Sequence, residues 1–288
     1  MRLKRFFYKD DSDKKSRWAI WREETQQWRE LSSVSGNSFP VTEEVPGTIA
    51  KDTTAIDKNT TAIAEDTVFL PPVPFCEKIL CVGLNYADHA AEFNDPIPAE
   101  PVYFCKALST LNAHGQEITL PAVSDQIDYE AELVVVIGKE GRNIAKEEAL
   151  DYVYGYTCGN DVSCRDWQSG KPAKQWFLGK SFDTFAPIGP VLVTRDEIPN
   201  PNGLNITSTL NGNLMQSSNT KNFIFPVEEL IAYVSQVMTL RPGDLIFTGT
   251  PGGVGMRRVP PVFMKDGDII SVEIEGIGTL TNPVRAAN

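Results

Sequence analysis

The pattern of apolar and polar positions predicts mostly strands and turns over the main part of the chain. Residues 133–137 form a continuous apolar run typical of a buried strand, and residues 245–247 and 269–274 predict two further strands, each after a turn sequence. An amphipathic helix is predicted at residues 227–238 and a shorter helix at residues 146–153. Because strands and helices do not alternate and no internal repeat occurs, the pattern favours an α+β, mainly β fold over a Rossmann or TIM architecture.

The N-terminal part of the chain has a different pattern. Residues 17–21 and 27–31 resemble the two strands of a hairpin, whereas residues 41–66 are rich in Thr, Ala, Asp and Glu and have weak apolar periodicity. A proline-rich run then interrupts the chain. We therefore predict a small N-terminal module and linker over residues 1–72 and a main domain over residues 73–288.

Composition and charge narrow the class of protein. The 288 residues are 41% hydrophobic and 23% charged, which is typical of a globular protein with a sizeable core. The net charge of −11 argues against nucleic acids and acidic membranes as partners. The five cysteines lack zinc-type spacing, and no secretory signal or membrane-spanning run of about 20 apolar residues is found. These features predict reduced thiols and a cytoplasmic location.

Three carboxylates provide the first candidate chemistry. Glu130 and Glu132 lie where the strand at residues 133–137 begins, and they point to the same side because side chains alternate along a strand. Two carboxylates held together repel each other unless a cation lies between them. Asp161, at the end of another apolar segment, offers a third oxygen ligand, and such ligands suit magnesium, manganese or calcium better than zinc. The alternative is a pair of surface acids on an edge strand.

His89 and Glu92 form a second candidate group. On a helical turn they would be three residues apart and face the same way. A carboxylate beside an imidazole orients the ring and raises its basicity, which makes a general base for activating water. The alternative is an exposed polar helix.

Cations and a glycine-rich loop complete the candidate set. The loop over residues 248–255 directly follows a strand, and its glycines let the backbone come close to a ligand, so Gly249 is a candidate substrate-binding position. A plain flexible loop is equally compatible with this composition. The Gly-Lys-Ser triplet at residues 179–181 is not a phosphate-binding loop, because Lys174 stands where that motif needs a glycine. The candidate polar partners of a ligand are Lys106, Arg165, Gln168 and Lys180.

Several motifs in order closely resemble the fumarylacetoacetate hydrolase family. They are ILCVGLNYADHAAE, DYEAELVVVIG, GNDVSCRDWQ, KQWFLGKSFDTFAPIGP and LIFTGTPGGVG. The resemblance covers roughly residues 79–284. The segments KQWFLGKSFDTF, MQSSNT and RRVPPVFMKDGD are most similar to the type-two fumarylacetoacetate hydrolase domain-containing proteins.

The resemblance implies a fold, a cofactor and site residues. It implies a mixed β-roll or β-sandwich catalytic domain, usually a homodimer, that binds a magnesium or manganese ion. Position by position, Glu130, Glu132 and Asp161 match the metal ligands of the family. His89 and Glu92 match the acid/base pair on a lid, and Lys180 matches the active-site lysine. Substrate-contacting positions are matched by Lys106, Arg165, Gln168 and Thr250.

The resemblance also implies a metal-dependent enzyme that acts on small 2-oxo or β-diketo acids through a stabilised enolate. The leading expectation is hydrolytic C–C cleavage of acylpyruvates. The alternatives on the same site are an oxaloacetate tautomerase or decarboxylase and a 2-hydroxy-diene-dioate isomerase. A non-catalytic metal-binding module belongs to another class, and it has no need for a His-x-x-Glu pair beside the ion.

Overall fold

The computed structural model describes residues 2–8, 17–22, 27–31, 60–62, 67–88 and 96–287. The strands are β1 (Arg2–Tyr8), β2 (Arg17–Arg22), β3 (Gln27–Leu31), β4 (Thr60–Ala62), β5 (Thr67–Leu70), β6 (Ile79–Gly83), β7 (Val102–Lys106), β8 (Leu111–Ala113), β9 (Ile118–Leu120), β10 (Ile127–Asp128), β11 (Ala131–Ile137), β12 (Val153–Asn160), β13 (Ser163–Cys164), β14 (Ala186–Thr194), β15 (Asn205–Leu210), β16 (Asn213–Asn219), β17 (Leu245–Phe247), β18 (Ile269–Ile274) and β19 (Gly278–Ala286). The α-helices are α1 (Arg165–Ser169), α2 (Trp176–Lys180) and α3 (Val227–Val237). Short 3-10 helices are found at Leu108–Thr110, Lys146–Tyr152, Thr220–Asn222 and Gly255–Arg257.

Two mixed sheets form the framework. The larger, 12-stranded sheet has the order β4-β3-β2-β1-β14-β12-β11-β17-β6-β7, with β5 beside β1 and β8 beside β14. The second sheet has the order β16-β15-β18-β19-β9. Most pairs are antiparallel, but β17 and β6, β14 and β8, and β19 and β9 run parallel. The predicted mainly β fold with few helices is confirmed.

Strand β11 is apolar throughout because both of its faces are covered. Leu133, Val135 and Ile137 pack in a core with the second sheet and helix α3. Val134 and Val136 pack in another core, which joins side chains of β1 and β2 with those of β6 and β17. The intervening strands β14 and β12 contribute Ile188 and Tyr154 to the same core, so this core extends across the larger sheet. Each fully buried aliphatic side chain contributes about 1.5–3 kcal/mol relative to an exposed one.

The predicted helix at residues 227–238 is α3. It buries Val227, Leu230, Ile231 and Val234 on one face. The Asn202 side-chain oxygen accepts a hydrogen bond from the Val227 N–H at 3.1 Å and so satisfies a donor at the start of the helix. The shorter predicted helix is a 3-10 helix at Lys146–Tyr152. The predicted strands at residues 133–137, 245–247 and 269–274 are all present.

The N-terminal strands continue the larger sheet. β2 and β3 form the predicted antiparallel pair, and β1 pairs with β14 of the main domain. A short strand that the sequence did not predict, β4, lies within the proposed linker and pairs with β3. The division of the chain at residue 72 stays a prediction. In the part of the chain that the structure describes, no helix is long and apolar enough to cross a membrane.

Candidate active site

Three carboxylates meet where β11 begins and β12 ends. The register pairs Ala131 with Asn160, so Glu130 and Asp161 lie side by side, and the Asp161 N–H donates to the Glu130 carbonyl at 2.9 Å. Oxygens of Glu130, Glu132 and Asp161 all lie within 4.8 Å of one another, and all three residues are buried. The spacing of Glu130 and Glu132 and the pairing of β11 with β12 therefore bring these side chains together.

Buried cations surround the carboxylates. The Lys180 ammonium lies 2.6 Å from Glu130 Oε2 and 2.8 Å from Asp161 Oδ2. The Lys106 ammonium lies 2.5 Å from Asp161 Oδ1, and Arg165 Nη1 lies 2.7 Å from Glu130 Oε1. Burial alone would lower the pKa of Lys180, but Asp161 and Glu130 outweigh it and raise this pKa above its ordinary value. Lys180 is therefore a charged ammonium in this arrangement.

Glu132 is the carboxylate with the least compensation. It accepts a hydrogen bond from the Gly249 N–H at 2.7 Å, and no cation forms an ion pair with it among the described residues. Burial, followed by the charges of Asp161 and Glu130, raises the pKa of Glu132 well above its ordinary value. An oxygen-only set with one uncompensated buried carboxylate fits a hard divalent cation. The buried triad is thus suited to hold a metal ion.

Asp128 is a site residue that sequence reasoning missed. Its Oδ2 accepts from Arg165 Nε at 2.9 Å and lies 2.8 Å from Nη2. Its Oδ1 accepts from the Gly255 N–H at 2.7 Å, and Oδ2 also accepts from the Met256 N–H at 3.0 Å. Asp128 therefore sets the position of the Arg165 guanidinium and of the loop after Thr250. Its place two residues before Glu130, on the same side of the chain, is the signal that could have found it.

The loop after β17 contacts the carboxylates through its backbone. Gly249 has φ +99°, and a Cβ there would lie 2.7 Å from Asn85 Cβ, so only glycine fits this close approach. The Thr250 hydroxyl donates to the Ala131 carbonyl at 3.0 Å and accepts from Gln216 Nε2 at 2.8 Å. Gln216, which sequence reasoning also missed, accepts in turn from the Ala131 N–H. This network joins the loop to the strand that carries Glu132.

A cavity of about 220 Å³ opens onto this cluster. Five of the predicted site residues line it, namely Glu130, Arg165, Gln168, Lys180 and Thr250. The predicted residues Lys106, Glu132, Asp161 and Gly249 are joined to them by the contacts above. Apolar walls come from Val82, Phe104, Trp176 and Met256. A larger groove of about 1000 Å³, along residues 120–127 and 261–266, contains none of the predicted site residues.

His89 and Glu92 lie outside the described residues, and their roles stay predictions. The chain is described up to Asp88, which hydrogen-bonds to Ser218 Oγ at 2.5 Å and accepts from the Gly252 N–H at 3.4 Å. The predicted pair therefore follows in sequence directly from a residue anchored on the loop that contains Gly249 and Thr250.

Residues 78–285 match the family model described as fumarylacetoacetate (FAA) hydrolase C-terminal. The chain belongs to the fumarylacetoacetate hydrolase family. It is 52% identical over 219 residues to the oxaloacetate tautomerase FAHD2B, mitochondrial, of Bos taurus, covering 76% of this chain and 70% of that protein. It is 49% identical over 231 residues to the oxaloacetate tautomerase fahd2, mitochondrial, of Xenopus laevis, covering 80% of this chain and 72% of that protein.

Solved structures of this family share the fold. The fumarylacetoacetate hydrolase of Exiguobacterium antarcticum is 34% identical with a TM-score of 0.81, and 100% of each chain is covered. The 2-hydroxyhepta-2,4-diene-1,7-dioate isomerase of Mycobacterium marinum is 34% identical with a TM-score of 0.77, covering 100% of this chain and 99% of that one. The predicted family and fold are confirmed, and the chain is an enzyme of the fumarylacetoacetate hydrolase family. The cytoplasmic location stays a prediction, since both tautomerase relatives are named as mitochondrial.

Proposed function

We propose that this enzyme is an oxaloacetate tautomerase, which interconverts the keto and enol forms of oxaloacetate. The observation that carries the proposal is the identity of about half over most of the chain to two relatives named as oxaloacetate tautomerases. These relatives favour tautomerisation over the hydrolytic cleavage of acylpyruvates that the sequence first led us to expect. The reaction moves one proton between C3 and the oxygen on C2, and it consumes no water.

The buried triad is the proposed metal site. Glu130, Glu132 and Asp161 would hold the ion, and we propose Mg²⁺, with Mn²⁺ or Ca²⁺ as further oxygen-preferring ions. When bound, a divalent ion supplies Lewis acidity that polarises a 2-oxo group and lowers the pKa of the neighbouring C–H bonds.

Lys180 is the proposed group for proton exchange at C3. Its ammonium is buried at the wall of the cavity, beside Glu130 and Asp161, and it carries the proton that ketonisation adds at C3. In the reverse direction the neutral amine takes the same proton back. The predicted acid/base pair, His89 and Glu92, would serve the oxygen side of the substrate.

Arg165 and Gln168 are the proposed binding groups for a substrate carboxylate. Arg165 Nη1 donates to Gln168 Oε1 at 2.9 Å, so the amide and the guanidinium are oriented together at the cavity wall. Asp128 holds the other side of the guanidinium. Such a fixed planar group binds a carboxylate with little loss of side-chain freedom.

A second candidate function is the isomerisation of a 2-hydroxy-diene-dioate. The observation that favours it is the likeness to the 2-hydroxyhepta-2,4-diene-1,7-dioate isomerase of Mycobacterium marinum. That reaction also relocates a proton along an enolised 2-oxo acid, so the same triad and lysine would serve it.

Keto–enol exchange measured by NMR tests the proposal. Metal-stripped protein is incubated with oxaloacetate, with and without Mg²⁺, and acetylpyruvate is run in parallel. We expect Mg²⁺-dependent acceleration of exchange at C3 of oxaloacetate without release of carbon dioxide. Production of pyruvate and acetate from acetylpyruvate, with no faster exchange in oxaloacetate, would instead establish a hydrolase.

A further inference from the structure

Lys174 differs from the other cations of the cavity because no described residue serves as a counter-ion for its ammonium. It lines the same cavity as Glu130, Arg165 and Lys180, and it is exposed at the mouth. Lys106, Arg165 and Lys180 each have a carboxylate within 2.8 Å. Over the ranges that the structure describes, the Lys174 side chain has neither an ion pair nor a hydrogen bond.

The backbone holds Lys174 in an unusual position. Ala173 and Lys174 have φ values of 62° and 49°, so two consecutive residues with a Cβ adopt the left-handed conformation. This conformation is unfavourable for such residues, and strained backbone of this kind is concentrated at functional sites. The Lys174 N–H donates to the Lys171 carbonyl at 3.1 Å, and the Trp176 N–H donates to the Lys174 carbonyl at 3.0 Å.

Trp176 fixes the end of this turn against the cavity wall. A Cβ on Gly83 would lie 2.7 Å from the Trp176 ring, so the ring packs directly on the glycine backbone. The ring also makes an edge-to-face contact with Phe104, with centroids 5.4 Å apart. The turn therefore has a defined position between Gln168 and Trp176, and Lys174 is held at the cavity by the backbone.

The charge balance of the site indicates what Lys174 binds. Four buried carboxylates, namely Asp128, Glu130, Glu132 and Asp161, face three buried cations, namely Lys106, Arg165 and Lys180. The cluster therefore has one excess negative charge, and a divalent ion would leave one positive charge. A ligand with two carboxylates needs one more cation, and Lys174 is the described residue that can provide it.

We propose that Lys174 binds the distal carboxylate of a short 2-oxo dicarboxylate and makes the enzyme select dicarboxylates over acylpyruvates with an uncharged end. This inference rests on the proposed function. The two lysines would then serve neighbouring carbons of the substrate. Lys180 would exchange a proton at C3, and Lys174 would bind the carboxylate formed by C4. The cavity volume of about 220 Å³ suits a ligand of this small size.

Oxaloacetate and its 4-methyl ester form the substrate pair for the kinetic test. The two differ at the distal end by one charge. We expect Lys174→Gln to raise the KM for oxaloacetate by about tenfold, roughly 1.4 kcal/mol, as for loss of a partly exposed charged contact. The kcat for either substrate and the KM for the ester should change little in this variant. Lys174→Arg should restore the low KM for oxaloacetate. The matched control is Lys171→Ala, because Lys171 lies on the same turn but packs over the Trp167 ring, 4.5 Å from its centroid.

Titration calorimetry with malate and lactate gives a second readout that is independent of turnover. Neither ligand can enolise, and only malate has the distal carboxylate. Lys174→Gln should weaken malate binding by about tenfold and leave lactate binding unchanged. Suppose that Lys174→Gln and Lys171→Ala bind malate and lactate with the same affinities, and that the wild-type protein still accelerates keto–enol exchange of oxaloacetate. The role proposed for Lys174 is then wrong, and the proposed function stands. If the wild-type protein accelerates neither substrate, the proposed function fails, and malate binding still reports on Lys174.

Discussion

At the scale of single residues, Glu132 decides whether the carboxylate cluster holds a metal ion. Its carboxylate is buried beside Asp161 and Glu130, and no described residue forms an ion pair with it of the kind that those two carboxylates make. A ligand that is poorly compensated without the ion gains most from ion binding. Substitution of this residue therefore separates metal binding from the rest of the fold.

Glu132→Gln should lose both Mg²⁺ binding and activity, the latter by at least about a hundredfold. At Mg²⁺ near 100 times Kd, the wild-type protein should gain about 2.7 kcal/mol of stability and the variant none. Thermal unfolding with and without Mg²⁺ measures this difference. Glu273→Gln, at an exposed position of β18, is the control and should behave as wild type. Full activity of Glu132→Gln would show that the site is wrongly assigned.

The pH dependence of stability gives a second test at Glu132. Because the folded-state pKa is raised above the ordinary value of 4.5, the folded metal-free protein binds a proton more tightly than the unfolded chain. The contribution of this carboxyl to the free energy of unfolding is complete below pH 4.5 and is lost as the pH rises through the folded-state pKa. In the presence of a chelator, the free energy of unfolding of Glu132→Gln should therefore increase relative to that of the wild-type protein as the pH rises through this window. Urea denaturation over a pH series measures it, and a constant difference would contradict the assignment.

At the scale of elements, the close contact of α1 with α2 positions the polar wall of the cavity. A Cβ on Gly179 would lie 2.5 Å from both Gln168 Cα and N, so the two short helices touch through this glycine. Gln168 and Lys180 are consequently held on adjoining surfaces. The sequence shows a Gly-Lys-Ser triplet here, and the structure gives the glycine a packing role.

Gly179→Ala should force α1 and α2 apart and cost about 1–3 kcal/mol of stability. Because Lys180 and Gln168 would move relative to each other, kcat should fall together with stability. Urea denaturation and steady-state kinetics measure the two effects. Gly203→Ala is the matched control, since a Cβ there meets its nearest neighbour, Asn200 Nδ2, at an ordinary 3.6 Å. Unchanged kcat and stability in Gly179→Ala would contradict this role.

At the scale of the whole molecule, β11 joins the two cores to the site. Its even-numbered and odd-numbered side chains pack on opposite faces of the sheet. Glu132 is the second residue of this strand. Glu132 therefore stands on a strand that is buried at every position, and Asp161 directly follows β12, which is also buried throughout.

Leu133→Ala should lower the free energy of unfolding by about 2–5 kcal/mol, because the core between the two sheets cannot close around the lost side chain. Leu214→Ala, at an exposed position of β16, should cost little and is the control. Urea denaturation of both variants measures the contrast. Equal small losses would show that the core around β11 tolerates the gap.

The sequence by itself determined the features that follow from local periodicity. The apolar run of β11, the amphipathic α3, and the shared side of Glu130 and Glu132 all depend on residues within a few positions of one another, and such patterns are visible in the chain. The family motifs then implied a role for each of the candidate site residues. Whether helix 146–153 would be α or 3-10, and whether a strand would form in the linker, did not follow from these patterns.

Only the tertiary structure decided the contacts between distant segments. Asp128 meets Arg165, and Gln216 meets Thr250, across separations of 37 and 34 residues. Lys174 lines the cavity from a left-handed turn, and the Trp176 ring at the end of this turn packs on Gly83. The physical reason is that hydrogen bonds and charge balance in a buried site depend on which strands become neighbours, and local periodicity carries no information about that order.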